Sequence, residues 1–261
     1  MSKRSTRGNK IMKHIASAKN EIVKQWKKLL TKKGRLQTNR FLIEGEHLIE
    51  EAVRAGIVKE LIVRESYQVP GSWKRNVDVF TIDEAVIKVL AETETSQGIF
   101  AVCEMKQASA QLERGRYLLL DRLQDPGNVG TMIRTADAAG FDGVVVGPGT
   151  VDVYNGKVIR ATQGSLFHLP VISMPLEEAV NALHEQGIAV IGTALEGATS
   201  YQTIAPMDAL GLIIGNEAQG VAPELLSYCD ERAYIPIRGK AESLNAAVAA
   251  GILLYHFASV D

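Results

Sequence analysis

The sequence predicts an α/β protein with a parallel β-sheet, preceded by a smaller α/β domain. Two observations carry the prediction. Short apolar runs alternate with segments whose apolar residues recur at helical spacing, as expected for strands buried on both faces beneath covering helices. A polar, aperiodic interval from Lys106 to Arg114 separates two such series, and 261 residues suit two domains. The division expected is a basic arm over 1–35, a small α/β domain over 36–105, a linker over 106–115 and the main domain over 116–261.

In the arm, Ile11, Ile15, Ile22, Trp26, Leu29 and Leu30 recur at spacings of three, four and seven, which predicts one amphipathic helix over about residues 10–33. A strand at 40–43, a helix over 45–55 closed by Gly56, and a strand at 59–64 follow. After the Pro70-Gly71 turn come a strand at 77–81, a helix at 83–91 and a strand at 99–104. The main domain reads as strand 117–120, helix 128–139, strand 143–146, helix 155–162, strand 169–172 and helix 176–186. Strands at 188–193 and 210–214, a short helix from Pro223, a strand at 232–237 and a last helix from Ser243 complete it. That last helix has two apolar faces, Leu244, Ala247, Val248, Gly251 and Tyr255 on one and Ala246, Ala249, Ala250, Leu253 and Phe257 on the other. One face can fill the core, and a twofold partner subunit is the simplest cover for the second.

A hydrophobic fraction of 46 %, a charged fraction of 23 % and a mean hydropathy of +0.01 exclude disorder across the chain. The net charge of -1 hides an asymmetry. Residues 1–40 hold thirteen Lys or Arg against the single acid Glu21, or +12, and the remainder carries -13. A basic head on an acidic body points to a polyanion, nucleic acid first, because each Lys or Arg on a phosphate releases a condensed counterion. A solvated basic tail is the plain alternative, and the interleaved apolar residues weigh against it. Cys103 and Cys229 stand alone, without a CxxC pair, so neither a disulfide framework nor a zinc site is expected. His14, His47, His168, His184 and His256 lack metal-ligand spacing. There is no signal-peptide pattern and no apolar run long enough for a bilayer, so a cytoplasmic protein without metal or membrane is expected. The GxGxxG and GxxxxGK[ST] fingerprints are absent from the main domain, which removes support for simple NAD or ATP chemistry.

The unusual residues fall in loops just after strands. The first loop, Asp121-Arg-Leu-Gln-Asp-Pro-Gly-Asn-Val-Gly130, opens a helix that carries Arg134 off its apolar stripe. Taken alone, Asn128 can be an N-cap, and Arg134 a solvated residue paired with Asp137. The second, Gly215-Asn-Glu-Ala-Gln-Gly220, brings a carboxylate and two amides to a strand's carboxyl end, where a plain glycine turn is the alternative. The third runs from Ile235-Pro-Ile237 to Glu242-Ser-Leu-Asn245. There Ser243 can be only an N-cap, or part of an anion-binding helix start.

Together these three loops resemble, in order and separation, the three motifs of the SpoU (TrmH) RNA 2′-O-ribose methyltransferases, over about residues 116–258. The stretch from Arg40-Phe-Leu-Ile-Glu-Gly-Glu-His to Ile99-Phe-Ala-Val also looks like the small substrate-binding domain of ribosomal-RNA members, which favours large-subunit (23S) rRNA. The resemblance implies a SPOUT-type parallel sheet with a C-terminal deep trefoil knot, against the usual rule of unknotted chains. It implies a homodimer through the catalytic domain and C-terminal helix, and S-adenosylmethionine as cofactor. Contacts to that cofactor are implied for Gly192, Thr193 and Leu195, for Ile214, Gly215, Asn216, Glu217 and Gly220, and for Ile235, Ile237, Ser243, Leu244 and Asn245. Arg134 is implied as the central catalytic group, with Asn128, Glu217, Ser243 and Asn245 around it. A guanidinium with a pKa above about 12 makes a poor base, so Arg134 is expected to hold a phosphate and stabilise developing negative oxygen. A tRNA 2′-O-methyltransferase and a non-catalytic RNA-binding or ribosome-assembly protein remain the alternatives.

Overall fold

The computed structural model describes residues 13–106 and 111–258. The chain forms two compact units, Met1–Lys106 and Gln107–Asp261.

The first unit begins with β1 (Lys13–Ile15), α1 (Glu21–Lys28) and α2 (Lys32–Thr38), where the apolar spacing predicts one helix. Ile11 and the four basic residues before it lie outside the described residues. Two side-chain caps explain the break. Asn20 Oδ1 accepts from Ile22 N–H at 2.9 Å and starts α1, and Thr31 Oγ1 accepts from Gly34 N–H at 3.2 Å and starts α2. Between them the chain turns so tightly that a Cβ on Gly34 would stand 2.0 Å from the Lys28 carbonyl oxygen. The apolar spacing nevertheless runs from β1 through α1 because Ile15, Val23, Trp26 and Leu29 all face one core.

The unit continues with β2 (Arg40–Glu44), α3 (Glu46–Arg54), β3 (Val58–Arg64), a 3₁₀ turn at Gly71–Lys74, β4 (Asp78–Ile82), α4 (Glu84–Leu90) and β5 (Ile99–Glu104). The sheet order is β1-β4-β3-β5-β2. The β1–β4 and β4–β3 pairs are parallel, and β3–β5 and β5–β2 antiparallel. Ile15 therefore pairs with Ile82, and Trp26 packs edge-on against Phe80 with ring centroids 5.2 Å apart while its Nε1–H donates to Glu60. Residues 13–35 of the segment expected as an arm are thus core on one side, with Lys24, Lys27, Lys28, Lys32 and Lys33 exposed on the other.

The second unit comprises β6 (Arg116–Leu120), α5 (Pro126–Ala138), β7 (Gly143–Val146), α6 (Gly156–Thr162), α7 (Ser165–His168), β8 (Val171–Ser173) and α8 (Leu176–His184). Then come β9 (Ala189–Thr193), β10 (Thr199–Ser200), a 3₁₀ turn at Tyr201–Thr203, β11 (Leu210–Ile214), α9 (Pro223–Leu226), β12 (Glu231–Tyr234) and α10 (Ala246–Ala258). The seven-stranded sheet runs β10-β12-β9-β11-β6-β7-β8 with parallel pairings. β7 and β11 are buried along their whole length, which is why they read as continuous apolar runs. α5 and α10 pack on one face and α8 on the other. The short α7 and β10 gave no periodic signal because each is too brief to show one.

The chain builds β6, β7 and β8 in one direction, then crosses back and inserts β11 between β6 and β9. Such a reversal opens a crevice at the carboxyl ends of the strands. α5 reaches into place through Gly130, where a Cβ would lie 2.4 Å from the Ala161 Cβ and 2.7 Å from the Val158 carbonyl oxygen.

Two stability tests follow from this packing. Trp26→Ala should destabilise the first unit by about 3–5 kcal/mol, read in denaturant through the fluorescence of buried Trp73 in the same unit; an unchanged midpoint would mean that α1 is not part of that unit's core. Gly130→Ala should cost about 1–3 kcal/mol through overpacking, seen as a lower melting temperature of the second unit.

Candidate active site at the carboxyl ends of the strands

The strands β12, β9, β11 and β6 are consecutive neighbours in the sheet, so the loops leaving them converge although they are far apart in sequence. In the loop after β6, Asp125 is extended ahead of Pro126, and its Oδ1 accepts from Asn128 N–H at 2.7 Å. Asp125, not Asn128, caps α5, because proline fixes the first helical turn and leaves the preceding carboxylate facing the free N–H groups. The Asn128 side chain is thereby free for another task. Its Nδ2 donates to Glu217 Oε1 at 3.2 Å and its Oδ1 accepts from Asn245 Nδ2 at 3.0 Å. Asn245 Oδ1 in turn accepts from Ala247 and Val248 N–H at 2.9 and 3.2 Å. The carboxylate at one end and the helix N–H groups at the other fix which way both amides point. Asn245, not Ser243, is therefore the cap of α10.

Glu217, Asn128 and Asn245 thus form one row of hydrogen bonds drawn from all three loops. The main chain of Gln124 and Asp125 also donates to Glu217, at 3.4 and 3.3 Å. Burial pushes the Glu217 pKa up, but donation from its own backbone N–H, from Asn128 and from these two N–H groups outweighs it and holds the carboxyl below its ordinary range. Glu217 is an anion at neutral pH and serves as an acceptor, not as an acid.

The loop that carries Glu217 is a tight structure of its own. A Cβ on Gly215 would stand 2.1 Å from the Val221 nitrogen, so glycine is required there. Asn216 and Gly220 exchange backbone hydrogen bonds at 3.1 and 2.9 Å, and Asn216 Oδ1 accepts from the N–H groups of Ala218 and Gln219. Gly215 and Asn216 shape the loop and do not line the adjacent cavity.

That cavity has a volume of about 810 Å³, within the roughly 300–1,000 Å³ of small-molecule sites. Of the residues singled out in the sequence, Thr193 and Leu195, Gly220, Ile235 and Ile237, and Ser243 and Leu244 line it. Leu195 is 84 % exposed. Gly192 and Ile214 lie inside the sheet: a Cβ on Gly192 would meet Cys229 Sγ at 2.7 Å, and Ile214 is buried. Glu217, Gly215, Asn216 and Asn245 stand beside the cavity rather than in its wall. The lining also includes Ala194, Glu196, Gly197, Gln219, Arg232 and Tyr234, which sequence reasoning missed. The one signal for them was position, immediately next to motif residues at strand ends.

Arg134 is exposed on α5 and, among the described residues, has no hydrogen bond or ion pair, in particular none with the row or with Asp137, which faces His168 at 3.4 Å. It lies six residues beyond Asn128, about 9 Å along the axis and about 240° around it. Among the described residues there is no cluster of three or more His, Cys, Asp or Glu able to hold a metal ion, and no helix is long and apolar enough to cross a membrane.

Residues 115–255 match the SpoU rRNA Methylase family, and residues 20–101 match the MRM3-like substrate binding domain. The 23S rRNA (guanosine(2553)-2′-O)-methyltransferase RlmP of Bacillus subtilis is 50 % identical over 246 residues, which cover 94 % of this chain and 99 % of that protein. Among solved structures, the AdoMet-bound rRNA methyltransferase from Sinorhizobium meliloti superposes with a TM-score of 0.85 at 34 % identity, covering 94 % of this chain and 97 % of that one. The SpoU methyltransferase AviRb from Streptomyces viridochromogenes in complex with AdoMet gives 0.83 at 30 % identity, covering 92 % and 97 %. With the three motif loops joined through Asn128 and both units matched, the chain belongs to the SpoU rRNA methylase family.

Proposed function

We propose that this protein transfers the methyl group of S-adenosylmethionine to a ribose 2′-hydroxyl of 23S rRNA, at the guanosine corresponding to 2553. The observation that carries the reading is the cavity of about 810 Å³ beside the Glu217–Asn128–Asn245 row, in a chain half identical to an enzyme named for that reaction.

The residues present fit the donor. Leu195, Ile235, Ile237 and Leu244 give the cavity apolar walls for a base, and Thr193, Ser243, Glu196 and Glu242 bring polar and anionic groups to a cationic amino acid. When bound, S-adenosylmethionine supplies an electrophilic methyl on a sulfonium. The row keeps the three loops in register around it, and placement of the hydroxyl supplies much of the acceleration. Arg134 binds the phosphate next to the target ribose and stabilises the oxygen as its proton passes to solvent water.

A homodimer through α10 is part of the reading. Val248 and Tyr255 are 52 % and 54 % exposed on the face opposite the core residues Ala250, Leu253 and Phe257, an apolar stripe that a second copy would cover. The offset of Arg134 from Asn128 around α5 favours its serving the partner's cavity. Threading of residues 235–245 as a trefoil knot belongs to the same proposal, supported by α10 packing on α5 while β12 lies beyond β9. The exposed lysines of α1 and α2 bind RNA phosphates, and a ribosomal-RNA substrate supports a cytoplasmic location.

Purified protein, methyl-labelled S-adenosylmethionine and 23S rRNA, naked or in assembly intermediates, should yield a 2′-O-methylguanosine at that position; label confined to tRNA would overturn the substrate, and no label on any RNA the activity. Arg134→Lys should lower kcat by about 10²-fold with donor binding retained, and near-normal turnover would refute the need for a planar fork. Replacing Lys27, Lys28, Lys32 and Lys33 by Gln should flatten the logarithmic salt slope of RNA binding by roughly 3; an unchanged slope removes this face from the interface. Glu217→Gln turns an amide N–H toward donors. Because the folded carboxyl titrates below its unfolded value, the wild type's melting advantage over this variant should be complete above about pH 4.3 and close only as pH falls further.

A further inference from the structure

Arg122 stands at the end of β6, next to the cavity but outside its lining. Its backbone has φ 55, a left-handed conformation disfavoured for any residue but glycine and, to a lesser degree, Asn or Asp. The side chain explains why arginine is kept in that conformation. Nε donates to Asp121 Oδ1 at 2.9 Å and Nη2 to Asp121 Oδ2 at 3.1 Å, a two-pronged pair with a carboxylate whose side chain is only 8 % exposed. The outer edge of the same guanidinium reaches the second loop, with Nη1 donating to Gln219 Oε1 at 3.1 Å and Nη2 to the Gly220 carbonyl at 3.3 Å. Asp121 Oδ2 accepts from Ala222 N–H at 2.9 Å, and the Arg122 carbonyl accepts from Asn216 Nδ2 at 2.8 Å. The pair therefore grips the loop at its start, its tip and its end. Ala218, Gln219, Gly220 and Val221 of that loop line the cavity.

We propose that Arg122, anchored by Asp121, is a positioning residue for the methyl donor: it locks the 216–222 loop in the shape that walls the cavity, so that binding does not have to order it. The proposal rests on reading the cavity as the donor site. An RNA contact is the competing role for a partly exposed arginine. Here four of the five guanidinium N–H groups are already engaged and the charge is met by Asp121, which leaves little with which to hold a phosphate. Lysine cannot replace it, since a single ammonium does not span Asp121, Gln219 and Gly220 at once.

The test uses the full chain with Arg122→Gly, which suits the left-handed backbone and removes the fork, and Arg122→Lys, which keeps the charge without it. Three quantities are measured: affinity for S-adenosylmethionine by calorimetry, the KM of each substrate with kcat, and amide exchange across 216–222 in the free protein. Both variants should bind the donor roughly tenfold more weakly, within the usual range of coupling between neighbouring elements, with a matching rise in donor KM. The kcat at saturation and the RNA KM should stay near wild type, and loop exchange should quicken. Wild-type donor affinity in Arg122→Gly, or a rise in RNA KM alone, would overturn the proposal. Exchange needs no ligand, so the two readings separate. Unchanged exchange overturns the locking role whatever the wild type binds. Faster exchange in a protein whose wild type binds no S-adenosylmethionine upholds the locking and overturns the donor assignment instead.

Discussion

Insertion of β11 between β6 and β9 constrains everything else in the catalytic unit. It makes β12, β9, β11 and β6 neighbours, so that four loops rise from one end of the sheet. It also buries β11 completely, which limits that strand to apolar residues and pushes the polar chemistry into the turn that follows. Gly215 must then reverse the chain within van der Waals reach of Val221, and no side chain fits there. The loop that emerges delivers a single carboxylate, Glu217, to the loop after β6.

From that carboxylate a line of polar contacts runs through Asn128 to Asn245 and ends on the first N–H groups of α10. Each member has a job in local structure as well as at the site. Asn245 caps a helix, Asn128 sits in the first turn of another, and Glu217 closes the Gln124–Asp125 main chain. Geometry that serves folding and chemistry with the same bonds is rigid, which suits a reaction that depends on placement. Arg134 is the opposite case: among the described residues its guanidinium makes no hydrogen bond or ion pair, and it is held only through its helix.

In the first unit one segment presents two unlike faces. Ile15, Val23, Trp26 and Leu29 are core, while the lysines between them remain in solvent. A charge-rich stretch of this kind cannot be removed as a tail without dismantling the sheet it covers.

The sequence by itself determined the layered α/β architecture, the order of the main strands and helices, and the three loops that hold the polar residues, because apolar periodicity and glycine or proline punctuation are local signals. It misplaced what depends on competition between neighbours. Asp125 and Asn245 win the capping positions from Asn128 and Ser243 because Pro126, and the hydrogen bond from Asn245 back to Asn128, decide which side chain can reach the free N–H groups. Local spacing ran through β1 and α1 as one helix because both turn their apolar residues to the same core. Only the tertiary structure decided that Gly192, Ile214, Gly215 and Asn216 shape the cavity from behind while Glu196, Gln219, Arg232 and Tyr234 line it. That distinction is set by which way each residue faces once non-adjacent strands pair, and pairing across a crossover leaves no local trace in the chain.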